Sequence, residues 1–290
     1  MPMIAYAQKD MRADTLIVVN QANEIIAEYQ AQGFRLTLRQ LYYQFVSRDL
    51  LPNTTQSYKR LGGIVNDGRL AGLIDWDAIE DRTRNVQSLS HWETPAEIID
   101  ICARQFRIDK WADQPFRPEV WIEKEALAGV VEGVCQDLDI SFFCCRGYTS
   151  QSEMWSSAMR LRSMVNVGQR PLILHFGDHD PSGIDMTRDI TDRLEMFMGG
   201  VTLQRMALNM DQIEEYSPPP NPAKITDSRF ASYEQKFGGK SWELDALEPK
   251  VIAGLIETAV FEVRNLDQWK RAVRKEEAGR KKLRTIAEKM

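Results

Sequence analysis

Two aspartates with one residue between them, Asp178 and Asp180, follow the apolar run Leu172-Ile-Leu-His-Phe176. An apolar run of this length reads as a buried strand. In an open α/β sheet, ligands bind beyond the carboxyl ends of the strands. Two carboxylates delivered to such an edge can converge on a hard divalent cation, because Mg²⁺ takes oxygen ligands. Mn²⁺ favours the same donors and could replace it. Pro181 and Gly183 then turn the chain into the next element. The spacing points to Mg²⁺ holding something phosphorylated. The plainer reading makes these acids the N-caps of the following helix.

Three other groups could join them. Glu123 closes the short strand pattern Val120-Trp-Ile, with Glu125 as an equal rival on spacing alone. In a parallel sheet Glu123 would face the same edge as the aspartates. Together they could hold one or two metal ions that polarise a phosphoryl group. Tyr43 shares a helix face with Arg39 at i−4 and Ser47 at i+4, whereas Tyr42 falls on the apolar stripe. A tyrosine hydroxyl can attack phosphorus, and an adjacent arginine can hold the phosphate. On spacing alone, Tyr43 is more often an exposed tyrosine without a role. Arg146, Ser150 and Ser152, in the polar turn Arg146–Ser152, suit phosphate contacts or ordinary helix capping.

The elements that must position these groups come in two styles. Residues 13–31 have helical periodicity and stop near Gly33. Thr37-Leu-Arg-Gln40 fits a capping box, and Leu38, Leu41, Tyr42, Phe45 and Val46 form one stripe behind it. A third helix spans about 56–71 and turns into a short strand. Three short helices with a β segment suggest a winged-helix type of helix-turn-helix module. A helix near 95–106 lies in a mixed connector. From Pro118 strands at 120–123, 140–145, 171–176 and 201–207 alternate with helices at 126–138, 151–165 and 184–196. That alternation implies a mostly parallel sheet with flanking helices, an α/β class. An amphipathic segment at 251–264 follows.

The formal net charge of −5 does not advertise a nucleic-acid binder, yet residues 270–289 are rich in Lys and Arg. A basic stripe suits phosphate backbones; a solvated helix with i,i+4 pairs such as Glu277–Lys281 explains it equally well. No apolar stretch approaches the length of a membrane span. The start of the chain lacks a secretory pattern, so a cytoplasmic location is expected. Cys102, Cys135, Cys144 and Cys145 form no zinc pattern and read as core thiols of a reducing compartment. His91, His175 and His179 are too scattered for a histidine metal site.

At Glu123-Lys-Glu-Ala126 and Asp178-His-Asp-Pro-Ser-Gly183 the chain resembles the Toprim fold of topoisomerases, primases and some nucleases. The match is closest to the topoisomerase VI A subunit and its relative that makes meiotic double-strand breaks. That branch carries an upstream winged helix with Arg-x-x-Tyr-Tyr, here Arg39-Gln-Leu-Tyr-Tyr43. The resemblance covers about 35–250 and selects Glu123 over Glu125. It implies Glu123, Asp178 and Asp180 as metal ligands, with Glu123 also catalytic, and Tyr43 as nucleophile with Arg39 beside it. It further implies Mg²⁺-dependent DNA cleavage by tyrosine transesterification. The partners it implies are DNA and a second copy of the chain, in a homodimer whose tyrosine and metal site come from different protomers; for a topoisomerase it also implies a separate ATPase subunit, since the chain shows no phosphate-binding loop. The expected divisions are a helical segment at 1–34, a winged-helix domain at 35–90, a connector at 91–116, a Toprim domain with extension at 117–250 and a basic helical segment at 251–290. The chain is shorter than a typical A subunit and looks like a compact phage or mobile-element relative. Two rivals stand beside this expectation: a Toprim nuclease that cuts DNA or RNA with activated water, and a non-catalytic DNA-binding protein whose acids only cap helices.

Overall fold

The computed structural model describes residues 3–79, 89 and 91–290. Its first part is helical: α1 (Ala13–Ala31), α2 (Leu38–Ser47) and α3 (Thr55–Leu70). Thr37 caps α2 through the full capping box with Gln40, as the spacing predicts. Thr54 caps α3. The three helices bury Val19, Ile25, Tyr29, Leu41, Phe45 and Leu61 in one core, so α1 packs with the helices that follow it. Burial of each such side chain stabilises by roughly 1.5–3 kcal/mol before chain entropy is subtracted. The short strand expected after α3 is reduced to two isolated bridges, Ala5–Ala71 and Leu36–Ile79. The end of the winged-helix reading, 80–90, lies outside the described residues apart from Leu89.

Helix α4 (Pro95–Gln105) leads into the α/β part. Its strands are β1 (Phe116–Ile122), β2 (Ser141–Cys144), β3 (Arg170–Phe176) and β4 (Thr202–Ala207). They form one parallel sheet in the order β2-β1-β3-β4. Between them run α5 (Ala128–Leu138), α6 (Gln151–Asn166) and α7 (Pro181–Phe197). Beyond the sheet come α8 (Met210–Tyr216), β5 (Asn221–Pro222), α9 (Phe230–Phe237), β6 (Lys240–Ser241), α10 (Pro249–Val263) and α11 (Leu266–Ala287).

Alternation along the central strands fills two layers. Val120, Ile122, Leu172, Leu174 and Phe176 pack towards α5 and α10. Trp121 and Ile173 point the other way, into a core shared with α6 and α7. A sheet covered on both faces needs nearly continuous apolar strands, which is why these runs lack the usual polar alternation. Among the described residues no helix is long and apolar enough to cross a membrane. No disulfide occurs among them either. Cys135 and Cys145 are buried, but Cys102 is exposed on α4, contrary to its reading as a core thiol.

Candidate metal and phosphate site

Parallel pairing brings the acids together. Ile122 sits opposite Phe176 in the β1–β3 register, so Glu123 and Gly177 leave the sheet side by side. The Asp178 amide donates to Glu123 Oε2 at 2.9 Å. Gly177 eases this approach, because a Cβ would lie 3.1 Å from that oxygen, a tight contact from which the Glu123 side chain would have to shift by a few tenths of an ångström. Gly183 is needed more strongly: a Cβ at this position would collide with the Asp178 carbonyl. Arg205 on β4 underpins the same turn. Its guanidinium donates to the carbonyls of Gly177 at 3.1 Å, Asp178 at 2.6 Å and Gly183 at 3.0 Å.

A distant segment completes the site. His179 and Trp242 exchange backbone hydrogen bonds of 2.8 and 2.9 Å, stitching the residues after β6 onto the aspartate turn. The Leu244 amide then donates to Asp178 Oδ1 at 2.8 Å. Glu243 and Asp245 arrive with it. Ligand oxygens of Asp178, Glu243 and Asp245 lie within 4.8 Å of one another, close enough to hold a metal ion. Such a donor set, all carboxylate oxygen, suits a hard divalent cation.

Lys124 and Arg39 neutralise these acids in the structure. Lys124 Nζ lies 2.9 Å from Asp178 Oδ2 and 3.1 Å from Asp245 Oδ1, and it also pairs with Glu243. Arg39, on α2, pairs with Glu243 and places its Nε 3.0 Å from Asp245 Oδ2. That last contact lacks the alignment of a hydrogen bond, leaving a buried carboxylate oxygen without one. Burial raises the Asp178 carboxyl above the usual range; Lys124 opposes this and Glu123 adds to it. Burial likewise raises Glu123, against the hydrogen bond from the Asp178 amide.

Tyr43 faces the same place. Arg39, Tyr43, Glu123, Lys124, Asp178 and Asp180 all line one cavity of 610 Å³. Tyr43 is only 4% exposed, because the 243–246 segment covers the helix face that spacing marks as polar. Burial pushes its hydroxyl up to about 12, Asp245 and Glu243 add to the rise, and Arg39 opposes it. Tyr42 serves the core instead, its hydroxyl meeting the Thr54 amide at 2.7 Å.

No protein-family model and no curated protein matches the chain. The site therefore rests on its own geometry. Of the three acids read as ligands, Asp178 belongs to the tight carboxylate group, while Glu123 and Asp180 border the cavity outside it. Asp180 caps α7, its Oδ1 accepting from the Gly183 amide at 2.6 Å. Arg146 pairs with Glu125, and Ser150 caps α6. Neither these two nor Ser152 lines the cavity. Local spacing assigns no role to Lys124, Glu243 or Asp245. The available signal was a second acid pair at i and i+2, in Trp242-Glu-Leu-Asp245, but no apolar strand precedes it.

Proposed function

We propose that the chain is a metal-dependent DNA-cleaving enzyme of the Toprim type, with Tyr43 as nucleophile. The observation that carries this reading is the single cavity holding both Tyr43 and the acids around Asp178. Tyr43 Oη would attack a backbone phosphorus and form a phosphotyrosyl bond. The deoxyribose oxygen on the far side leaves and takes up a proton, giving a free hydroxyl. At its raised pKa the Tyr43 hydroxyl is protonated at neutral pH, so its proton must pass to a carboxylate in the cavity as the bond forms. Arg39 and Lys124 are the cations placed to hold the phosphate once it displaces their carboxylate partners. Asp178, Glu243 and Asp245 would hold Mg²⁺, with Glu123 and Asp180 beside them. A bound Mg²⁺ would supply charge neutralisation at the phosphoryl oxygens.

Tyrosine and acids line a cavity of one chain, so this reading does not need a tyrosine from a second protomer. Two protomers would still be required to cut both strands, and strand passage would require a separate ATPase. The helical part would present α2 to DNA as a winged helix does.

A second reading keeps the acids and replaces the tyrosine with activated water. The burial of Tyr43 and the engagement of Arg39 with carboxylates favour it. One experiment separates them. DNA is incubated with protein and Mg²⁺, denatured, and examined for a covalent adduct. An adduct that survives Tyr42→Phe and vanishes in Tyr43→Phe supports the tyrosine. Cleavage that persists in Tyr43→Phe and dies in Asp178→Ala supports water. Absence of cleavage in every variant and metal would leave only a binding role.

A further inference from the structure

Helix α11 has two unlike faces. Trp269, Val273, Glu276, Gly279 and Leu283 recur at three- and four-residue spacing and are among the residues the fold covers. This face is locked in place. Glu276, 5% exposed, accepts the Ile108 amide at 3.1 Å and pairs with Lys110 at 3.0 Å and Arg280 at 2.8 Å. Gly279 sits directly against the Phe106 ring, where a Cβ would collide. The helix is therefore a fixed platform against α4.

The opposite face is cationic. Lys270, Arg271, Arg274, Lys275, Lys281 and Lys282 are all exposed along it. Among the described residues none of the six forms an ion pair, and the Glu277–Lys281 pair that would mark an ordinary solvated face is absent. The helix holds eight basic against three acidic residues, in a chain whose formal net charge is −5. The most deeply buried of its acids, Glu276, is spent on the inner face. From Lys270 to Lys282 the stripe runs about 18 Å at the helical rise.

Its place in the fold separates it from the cavity. The Asn265 amide donates to Gln114 Oε1 at 2.7 Å, and Gln114 Nε2 donates back to the Asn265 carbonyl at 3.0 Å. The start of α11 is thus tied to the entry of β1, whereas Glu123 leaves the exit of the same strand. A strand of 7 residues separates them; at the usual rise that is about 23 Å.

We infer that the outer face of α11 is a second contact surface for the phosphate backbone of duplex DNA. The inference rests on the reading of DNA as substrate and adds where the duplex is held outside the cavity. Charge complementarity selects this partner. A membrane-surface helix would need its apolar face free, and here α4 and Trp111 cover that face. An unpaired row of cations on a rigid helix releases counterions from DNA, so affinity must depend on salt.

The test measures duplex binding in EDTA by fluorescence anisotropy over a series of salt concentrations. The full chain is compared with the variant Lys270→Gln, Arg274→Gln, Lys281→Gln, Lys282→Gln. Glutamine keeps helix propensity, and circular dichroism verifies the fold. If each cation meets a phosphate, the slope of log affinity against log salt becomes shallower by about 3 to 4. The charge-conserving exchange of Lys and Arg at the same four positions keeps the original slope. An unchanged slope in the glutamine variant overturns the inference. So does a variant that loses binding only to phosphatidylserine vesicles. Because EDTA removes the metal, cleavage does not enter the readout. A chain that binds with the expected slope but never cleaves would sink the proposed function and leave this surface standing.

Discussion

Lys124 Nζ lies 2.9 Å from Asp178 Oδ2, so the residue following Glu123 places an ammonium where a metal would meet the acids. The same ammonium reaches Glu243 and Asp245, and Arg39 reaches them from α2. One charge cluster thus joins the sheet, the segment after β6 and the helical part. Removing one partner of a buried pair leaves the others uncompensated, typically at a cost of about 3–5 kcal/mol. Lys124→Met should lower the melting temperature in EDTA. Mg²⁺ should then recover more stability in the variant than it adds to the wild type, because it no longer competes with the lysine. Thermal denaturation with and without Mg²⁺ checks this. Equal Mg²⁺ effects on both proteins would argue against a metal among these carboxylates.

Gly183 makes the aspartate turn possible, since any Cβ there meets the Asp178 carbonyl. The obstacle is backbone, which cannot swing aside as a side chain can. Gly183→Ala should cost about 3 kcal/mol, at the upper end of ordinary overpacking. It should also displace Asp178 and weaken Mg²⁺ binding. Ser182→Ala, one residue earlier, should be nearly neutral in stability. Urea denaturation and calorimetry of the two variants provide the comparison.

Much of this architecture is legible in the chain. Apolar runs place the four sheet strands to within a few residues, because a buried parallel strand needs an unbroken run. The Thr37–Gln40 capping box marks the start of α2. The site is only half legible. Asp178 and Glu123 show themselves because strands deliver them to an edge. Glu243 and Asp245 do not, because a bridge between His179 and Trp242, far apart in sequence, carries them in. The same segment explains Tyr43. Its spacing with Arg39 and Ser47 marks a polar face, but local periodicity cannot show that a distant loop covers that face.

Acid should loosen the cluster at Glu243. Burial alone would raise this carboxyl, but Lys124 and Arg39 overcome it and hold the group at about 2. An unfolded glutamate titrates near 4.3. The folded value is the lower one, so the stability from this group is fully present above about pH 4.3 and is lost as pH falls towards 2. Stability curves measured across that window should fall more steeply for the wild type than for Glu243→Gln, which has no proton to take up. Parallel curves would show that the pairing contributes nothing.

Arg205 offers a test of how the acids are held. Its planar fork donates to the carbonyls of Gly177, Asp178 and Gly183 and to Thr187 Oγ1 at 2.6 Å. Burial lowers its pKa to about 10, against the pull of Glu123 and Asp178, so it remains charged at neutral pH. Lysine keeps that charge but carries a single compact donor group on a flexible stem and cannot reach the same carbonyls together. Arg205→Lys should therefore lose about 2 kcal/mol, the value of one charged hydrogen bond left unmade. The variant should also bind Mg²⁺ more weakly, since the turn that presents Asp178 loses its support. If charge alone mattered, lysine would restore both stability and Mg²⁺ affinity relative to Arg205→Met. If the fork matters, Arg205→Lys will resemble the methionine variant in Mg²⁺ affinity while exceeding it in stability, because a charge still faces Glu123.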